Sequence, residues 1–322
     1  MEKEEKLPLC IDLDGTLIRT DVTQEGVLLF LRKYPWKFFY ILYWLCRGRA
    51  FLKAKLAQKV MFNPKFLPYN QDFLNYLKVK AREGYDLYLV TAADQKCAKM
   101  VYDHLGIFKE YLASDGNKNL RSSTKAQALC DLFGDEGFIY AGNSKHDLPV
   151  WEKAGEIIAV NTPNNVLKKV NILNKKIEKF EDKKFALKDV GRDFLKSPWF
   201  KFQLSFNLLI IIINLLFNKF YLEVFNLFKW ISFTAFIFFL SAAASLVGQL
   251  FALEEMRSNL RTSKMLLATG YLTIPLAIYL SLIFITLGVI LGLFFPPFYY
   301  IFIALFFIIQ FGYIGRLIRE KI

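Results

Sequence analysis

The stretch "LPLCIDLDGTL", residues 7–17, decides how the first half of this chain is read. An apolar run, Leu9-Cys10-Ile11, leads straight into Asp12 and Asp14, then Gly15 and Thr16. Side chains two apart on a strand point to the same side, so the two carboxylates are neighbours. Their repulsion must be offset, and a divalent cation such as Mg²⁺, which prefers oxygen ligands and keeps waters, is suited to the task. Near such a cation one carboxylate can attack phosphorus while the second shuttles the proton of leaving group and water. Gly15 and Thr16 permit a tight turn that brings backbone N–H groups to an anion.

Outward from this stretch the same grammar repeats. The apolar runs in "YDLYLVTAA", "GFIYAGN" and "EIIAVN" alternate with helical patterns such as "KCAKMVYDHLG". Strand and helix in alternation predict an α/β fold with a doubly wound parallel sheet, whose ligands sit at the carboxyl ends of the strands. The polar signals "DLDGT", "TAAD" and "GNSKHD" each follow a strand. Between the first two strands lies an insertion, residues 22 to about 80, containing "GVLLFLRKYPWKFFYILYWLCRGRAFLKAKL". Arg32, Lys33, Lys37 and Pro35 interrupt its apolar portions, so it predicts a helical cap and not a bilayer span. Its aromatic stripe reads equally as the cap's own core or as an interfacial helix touching lipid.

These motifs, in this order, resemble those of the haloacid dehalogenase (HAD) superfamily of phosphohydrolases. Asp12, Asp14 and Thr16 match its first motif, D-x-D-x-[TV] after an apolar strand. The resemblance implies that Asp12 is the nucleophile, becoming an aspartyl phosphate, and Asp14 the general acid and base, its main-chain carbonyl also ligating Mg²⁺. Thr91 in "LYLVTAAD" matches the second motif and would bind a phosphate oxygen, with Gly15 and Thr16 completing the phosphate site. Lys125 in "SSTKAQAL" matches the third and would neutralise the phosphoryl group and the nucleophile. The fourth motif is usually G-D-x-x-x-D; here "GNSKHD" supplies Asn143 and Asp147. The implied metal set is therefore Asp12, Asp14, Asn143 and Asp147, with one negative charge fewer than the family pattern.

Other polar residues have plainer readings. His104 near a helix end is expected to pack or cap, His146 to sit at the site rim or touch substrate, and Asp94 to cap the helix after "TAA" or touch substrate. Asp21 and Lys145 receive no role. Cys10, Cys46, Cys97 and Cys130 form no metal-ligand spacing and read as small core hydrophobes in a reducing compartment.

The second half has a different composition. Across 322 residues, 54% are hydrophobic and 17% aromatic, more than an ordinary soluble domain carries. The 42 Lys and Arg against 29 Asp and Glu leave a formal charge of +13, which favours an anionic membrane surface over nucleic acid. Residues 164–200 are Lys-rich and predict a basic juxtamembrane linker or helix after a first domain of 1–163. Four spans are then expected, at 202–217, 230–251, 267–293 and 298–313, forming an all-α membrane domain over 201–322. The N-terminus lacks an apolar leader, and an even number of spans with basic loops puts the catalytic domain in the cytoplasm, at the inner membrane.

Between the second and third expected spans lies "GQLFALEEMRSNLRTSKMLLATG", residues 248–270. It resembles the first acidic segment of the UbiA superfamily of membrane prenyltransferases, in which N-D-x-x-D-x-x-x-D precedes a basic loop and P-L-A-S-G. With "LLATG" as anchor, the family Asn falls on Gly248 and its Asp positions on Gln249, Ala252 and Met256. Leu253, Glu254, Arg257, Ala268 and Gly270 keep the frame, while Glu254 and Glu255 do not restore the acidic spacing. The whole chain thus resembles a HAD domain fused to a truncated UbiA-like domain. The leading expectation is a membrane-anchored, Mg²⁺-dependent phosphatase for a phosphorylated lipid, prenyl or sugar-phosphate substrate, with no nucleic-acid partner. A prenyltransferase using substituted ligands as a homo-oligomer, and a non-catalytic membrane adaptor, are the competing readings.

Overall fold

The computed structural model describes residues 6–115, 119–182, 187–196 and 227–293, with single positions between 201 and 212. The chain divides into two compact units, Met1–Lys184 and Phe185–Ile322.

The first unit is built on β1 (Leu9–Ile11), β2 (Leu87–Asp94), β3 (Glu110–Ser114), β4 (Ile139–Gly142), β5 (Glu156–Val160) and β6 (Lys176–Phe180). All neighbours pair in parallel, in the order β3-β2-β1-β4-β5-β6. The helices are α1 (Val22–Lys33), α2 (Phe38–Cys46), α3 (Arg49–Lys59), α4 (Gln71–Arg82), α5 (Gln95–Leu105), α6 (Ser123–Phe133), α7 (Leu148–Lys153) and α8 (Asn164–Asn171). Strand alternation sorts the core into two layers. Leu9, Ile11, Leu87 and Leu89 pack on one face with Phe73 and Leu77 of α4 and Ala98 and Val101 of α5. Cys10, Tyr88, Val90 and Tyr140 pack on the other with Ala126 and Leu129 of α6, Trp151 of α7 and Val166 of α8. Each large apolar side chain so buried contributes roughly 1.5–3 kcal/mol. The parallel α/β sheet expected from the strand–helix alternation is therefore present, and the strand order reverses at β1 and β4. In open α/β sheets, ligands bind outside the strand ends at such a reversal.

Two boundaries differ from the sequence reading. The insertion was expected to run to about residue 80, but α4 lies against the sheet, with Phe73 and Leu77 fully buried in its core. Only α1, α2 and α3 form a separate cap, around Phe30, Trp44, Leu52 and Leu56. Residues 164–180, expected as linker or helix outside the first domain, form α8 and β6, and β6 joins the sheet by pairing with β5 from Glu156↔Lys176 to Val160↔Phe180. Charged side chains on an edge strand block pairing with another chain, which is why "KIEKF" reads as linker yet serves as an edge. Beyond β6, Asp182 is held by Arg19, whose Nε and Nη2 donate to Oδ2 and Oδ1 at 2.7 and 2.6 Å. Asn161 grips the same residue: its Nδ2 donates to Oδ2, and its Oδ1 accepts from the Asp182 amide, both at 2.7 Å.

The second unit contains α9 (Leu187–Lys196), α10 (Leu227–Phe251), α11 (Leu253–Ser258) and α12 (Ile274–Gly292). Helices α10 and α12 pack together through rings such as Phe239 and Phe284, 5.9 Å apart, and through Gly288 against Leu240 and Gly292 against Phe236, where glycine allows close approach. Among the described residues one helix, Ile274–Gly292, is long and apolar enough to cross a membrane. The third expected span begins seven residues late, at Ile274, because Thr273 caps α12 by accepting from the Leu276 amide and Pro275 occupies its first turn. The expected span at 230–251 falls within α10, of which Ala235–Phe251 is a shorter apolar helix. The expected spans at 202–217 and 298–313 lie outside the described residues, single positions apart.

Candidate active site

Asp12 follows β1 directly, and its amide donates to the Ala141 carbonyl of β4 at 3.0 Å. That bond pins the residue at the sheet's reversal. Its carboxylate Oδ1 accepts from Lys125 Nζ of α6 at 2.6 Å, with both side chains largely shielded from solvent. Lys125 Nζ also donates to the Tyr140 hydroxyl at 2.9 Å, which donates in turn to Asp147 Oδ1 at 2.9 Å. Burial pushes the Asp12 carboxyl up to about 6 against the pull of Lys125, with the negative charge of Asp147 adding to the rise. Burial raises Tyr140 as well, so its hydroxyl keeps its proton and remains a donor.

Asp14 is half-buried beside it, and Oδ1 accepts from the Val22 amide at the start of α1, 2.9 Å away. Burial holds its carboxyl well above the usual carboxylate range, and the charges of Asp21 and Asp12 push the same way. A carboxyl whose proton affinity is raised in this way suits proton transfer better than a free one. Asp21, unassigned from sequence, caps α1 by accepting from the Thr23 and Gln24 amides.

Gly15 has φ of +77°, and a Cβ there would stand 2.2 Å from Asn143 Nδ2. Only glycine lets the two loops meet, and the meeting brings the Asn143 side chain against the Asp12–Thr16 turn. Thr16 is fully buried and its Oγ1 has no hydrogen-bond partner. Thr91, also fully buried, uses Oγ1 to accept from the Ala93 amide at 3.0 Å, leaving its own proton to donate. Asp12, Asp14, Gly15, Thr16 and Asn143 thus gather at one turn, with Lys125 on Asp12 and Thr91 on the adjacent strand.

Asp147 was expected among metal ligands, but its carboxylate is taken up by protein. Besides Tyr140, its Oδ2 accepts from the Asn143 amide, the Ser144 amide and Ser144 Oγ at 3.1, 2.9 and 3.0 Å. A Cβ on Gly142 would stand 2.7 Å from Asp147 Cγ and 2.9 Å from Tyr140 Cε1, so glycine there is what allows this packing. Among the described residues no cluster of three or more His, Cys, Asp or Glu is placed to hold a metal. A smaller oxygen set does fit Mg²⁺, which binds through one or two carboxylates and keeps waters. Asp12 supplies a carboxylate whose charge Lys125 offsets only in part, Asp14 follows in the same turn, and the Asn143 side chain lies against it.

Two residues of the site escape sequence reasoning. Tyr140 lies in a run that reads as plain core, and only the fold shows its hydroxyl between Lys125 and Asp147. Lys53 sits on the cap helix α3 next to buried Leu52, and its Nζ donates to the Ala92 carbonyl at 2.6 Å. Burial lowers its affinity for a proton, while Asp14 and Asp21 support the charged form. A lysine beside the buried face of an otherwise basic helix was its faint signal. Asp94 caps α5 through the Lys96 amide, and His104 stacks on Tyr69 at 6.2 Å, in line with the plainer expectations. His146 follows the Ser144 cap, its proton affinity lowered by burial, then by Arg121 and Lys145. Cys10 is a buried core thiol that burial keeps protonated.

No protein-family model matches the sequence. The chain is 40% identical over 157 residues to an uncharacterized protein, y4nM, of Sinorhizobium fredii. That match takes 49% of this chain and 30% of the relative, so the chain spans under a third of the relative's length. Similar solved structures include a protein of unknown function from Bordetella pertussis Tohama I, with 14% identity, TM-score 0.41, and coverage of 53% of this chain and 96% of that one. A phosphoserine phosphatase in its apo form is 17% identical at TM-score 0.40, covering 58% and 98%. A HAD-family hydrolase from Salmonella enterica serovar Typhi is 17% identical at TM-score 0.39, covering 55% and 69%.

Proposed function

We propose that this protein is a Mg²⁺-dependent phosphatase of the HAD type, working through an aspartyl phosphate on Asp12. The observation that carries the reading is the 2.6 Å contact between Lys125 Nζ and Asp12 Oδ1, beside a second carboxyl whose proton affinity burial raises. Lys125 occupies one oxygen of Asp12 and leaves the other to attack phosphorus. Asp14 gives its proton to the departing alkoxide as the P–O bond breaks. It then takes a proton from the water that cleaves the acyl phosphate, which releases inorganic phosphate and restores both carboxyls. The buried hydroxyls of Thr16 and Thr91 would donate to the phosphoryl oxygens, and Lys125 would offset their charge. Asp12, the Asp14 carbonyl and Asn143 would hold Mg²⁺, which when bound supplies charge stabilisation at the phosphoryl oxygens. Asp147, through Tyr140, is assigned to positioning Lys125.

The same reading places the enzyme in the cytoplasmic membrane, with its first unit in the cytoplasm and a phosphorylated lipid, prenyl or sugar phosphate as substrate. It is supported by the apolar helix Ile274–Gly292 and by the excess of basic residues. Prenyl transfer is not carried further, since Gly248, Gln249, Ala252 and Met256 supply no carboxylate for a diphosphate-bound metal. The test is phosphate release from an aryl phosphate by the purified full chain in detergent with Mg²⁺. Asp12→Asn is expected to lower turnover by about 10⁴-fold or more, and unchanged release would falsify the mechanism.

A further inference from the structure

The cap buries Phe30 and Trp44 in its own core, with Tyr34 and Phe51 partly buried against them, and leaves Trp36, Phe38, Phe39, Tyr40 and Tyr43 exposed. Helix α2, "FFYILYWLC", has no charged residue, and only Trp44 is buried in the cap core, against Phe30, Leu52 and Leu56. The turn before it leaves Trp36 89% exposed, and along the helix Phe39 is 64% and Leu42 56% exposed. A run of this size pointing away from a protein's core is a binding surface or an aggregation hazard. Of the two sequence readings, aromatic core or interfacial helix, the first accounts for Trp44 and not for its outward neighbours.

Charge says what covers the surface. Every charged side chain from Gly26 to Gln71 is Lys or Arg, with no Asp or Glu among them. Exposed Lys33, Lys37, Arg47 and Arg49 flank the apolar helix at both ends, and Arg47 Nη1 donates to the Tyr43 hydroxyl at 3.2 Å. An apolar helix with Trp and Tyr, bounded by basic residues and free of acids, complements acyl chains under anionic headgroups. The same chain carries a helix suited to a bilayer, Ile274–Gly292. We infer that the Pro35–Lys37 turn and α2 insert into the interface of an anionic phospholipid bilayer. Helix α3 gives this docking a route to the site, because Leu52 and Leu56 hold Trp44 of α2 while Lys53 reaches the Ala92 carbonyl next to Thr91. A phosphate monoester lying in the lipid surface is then presented to the site by the element that touches lipid. This last step rests on the phosphatase reading; the docking itself does not.

The test uses the full chain in nanodiscs whose acyl chains carry bromine, a contact quencher of indole fluorescence. Subtracting the spectrum of Trp36→Phe isolates Trp36 from the other tryptophans. In discs rich in phosphatidylglycerol, the Trp36 emission is expected to be lost to bromine and shielded from acrylamide in the water. Replacing the anionic lipid with phosphatidylcholine is expected to restore both emission and acrylamide access. Trp36 reached by acrylamide and not by bromine overturns the proposal, as does equal bromine quenching in both lipids. Shielding from both quenchers together with a doubled particle mass also overturns it, in favour of a second copy of this chain. In a parallel arm, Phe39→Ser with Leu42→Ser should lower turnover of phosphatidic acid in vesicles about tenfold, as apolar contact is lost, and change aryl phosphate turnover less than about twofold. If Asp12→Asn leaves phosphate release intact, the phosphatase reading fails while the bromine result still decides the docking.

Discussion

Two polar segments interrupt apolar surroundings in this protein, and they handle their polar groups in opposite ways. In the first unit, Asp12 and Asp14 stand side by side with raised proton affinities, and Thr16 Oγ1 is buried without a partner. In the second, the connector from α10 to α12 turns its polar side chains onto nearby backbone and side chains. Arg257 Nε donates to the Ala268 carbonyl at 2.9 Å and Thr262 Oγ1 to the Met256 carbonyl at 2.8 Å, and inside α10 Gln249 Nε2 donates to Ser245 Oγ at 3.3 Å. Buried polar groups in a structural role are satisfied by the protein itself, whereas a reaction site keeps groups short of compensation until a ligand arrives. The pair of acids in "ALEEM" catches the eye in sequence; the pair in "IDLDG" has the electrostatics of chemistry.

Substitutions can break or sharpen this contrast. The largest effect after Asp12→Asn is expected for Lys125→Met, which strands Asp12 in a buried setting. Turnover should fall about 10³-fold, and unfolding in denaturant should show a loss of about 3–5 kcal/mol. Gly15→Ala should cost about 1–3 kcal/mol, because φ of +77° and the Asn143 contact both oppose a Cβ; the readout is the thermal midpoint with residual turnover. Tyr140→Phe removes the hydroxyl joining Lys125 to Asp147, and should lower kcat about tenfold with little change in KM, a split that marks positioning over substrate binding. Last, Arg257→Ala should leave phosphate release within about twofold and cost about 1 kcal/mol of stability through the lost bond to Ala268. A large activity loss there would erase the distinction between the two segments.

Much of the first unit was legible because its signals are local. Each apolar run followed by a polar cluster became a strand with a site residue at its end, and Asp12, Asp14, Thr16, Asn143 and Lys125 converge as the motif order implied. What escaped depends on partners distant in sequence. Tyr140 alternates onto the apolar face like any core residue, and its role exists only because α6 brings Lys125 to it. Asp147 was implied as a ligand by the resemblance alone, and the bonds its oxygens accept from Tyr140, Ser144 and the Asn143 amide depend on the folded loop. Strand β6 escaped because Lys176, Glu178 and Lys179 are the charges of an edge, which in sequence look like the charges of a linker. In the second unit, hydropathy located α10 and α12 but placed the start of α12 too early, since "LLATG" is as apolar as a helix and yet folds as turns.

The grip of Arg19 and Asn161 on Asp182 has a mechanical consequence. Asp182 is the last described residue of the first unit before the chain continues toward the second. Any pull along that connection meets a two-pronged ionic clamp before it can peel β6 from the sheet edge, and the clamp hands the load to Arg19. That residue also donates through Nη1 to the Tyr69 carbonyl at 3.1 Å, so the load passes to the loop that pairs with Leu17–Arg19, just after the Asp12–Thr16 turn. The clamp and the two adjacent carboxyls, Asp12 and Asp14, therefore share one short stretch of backbone.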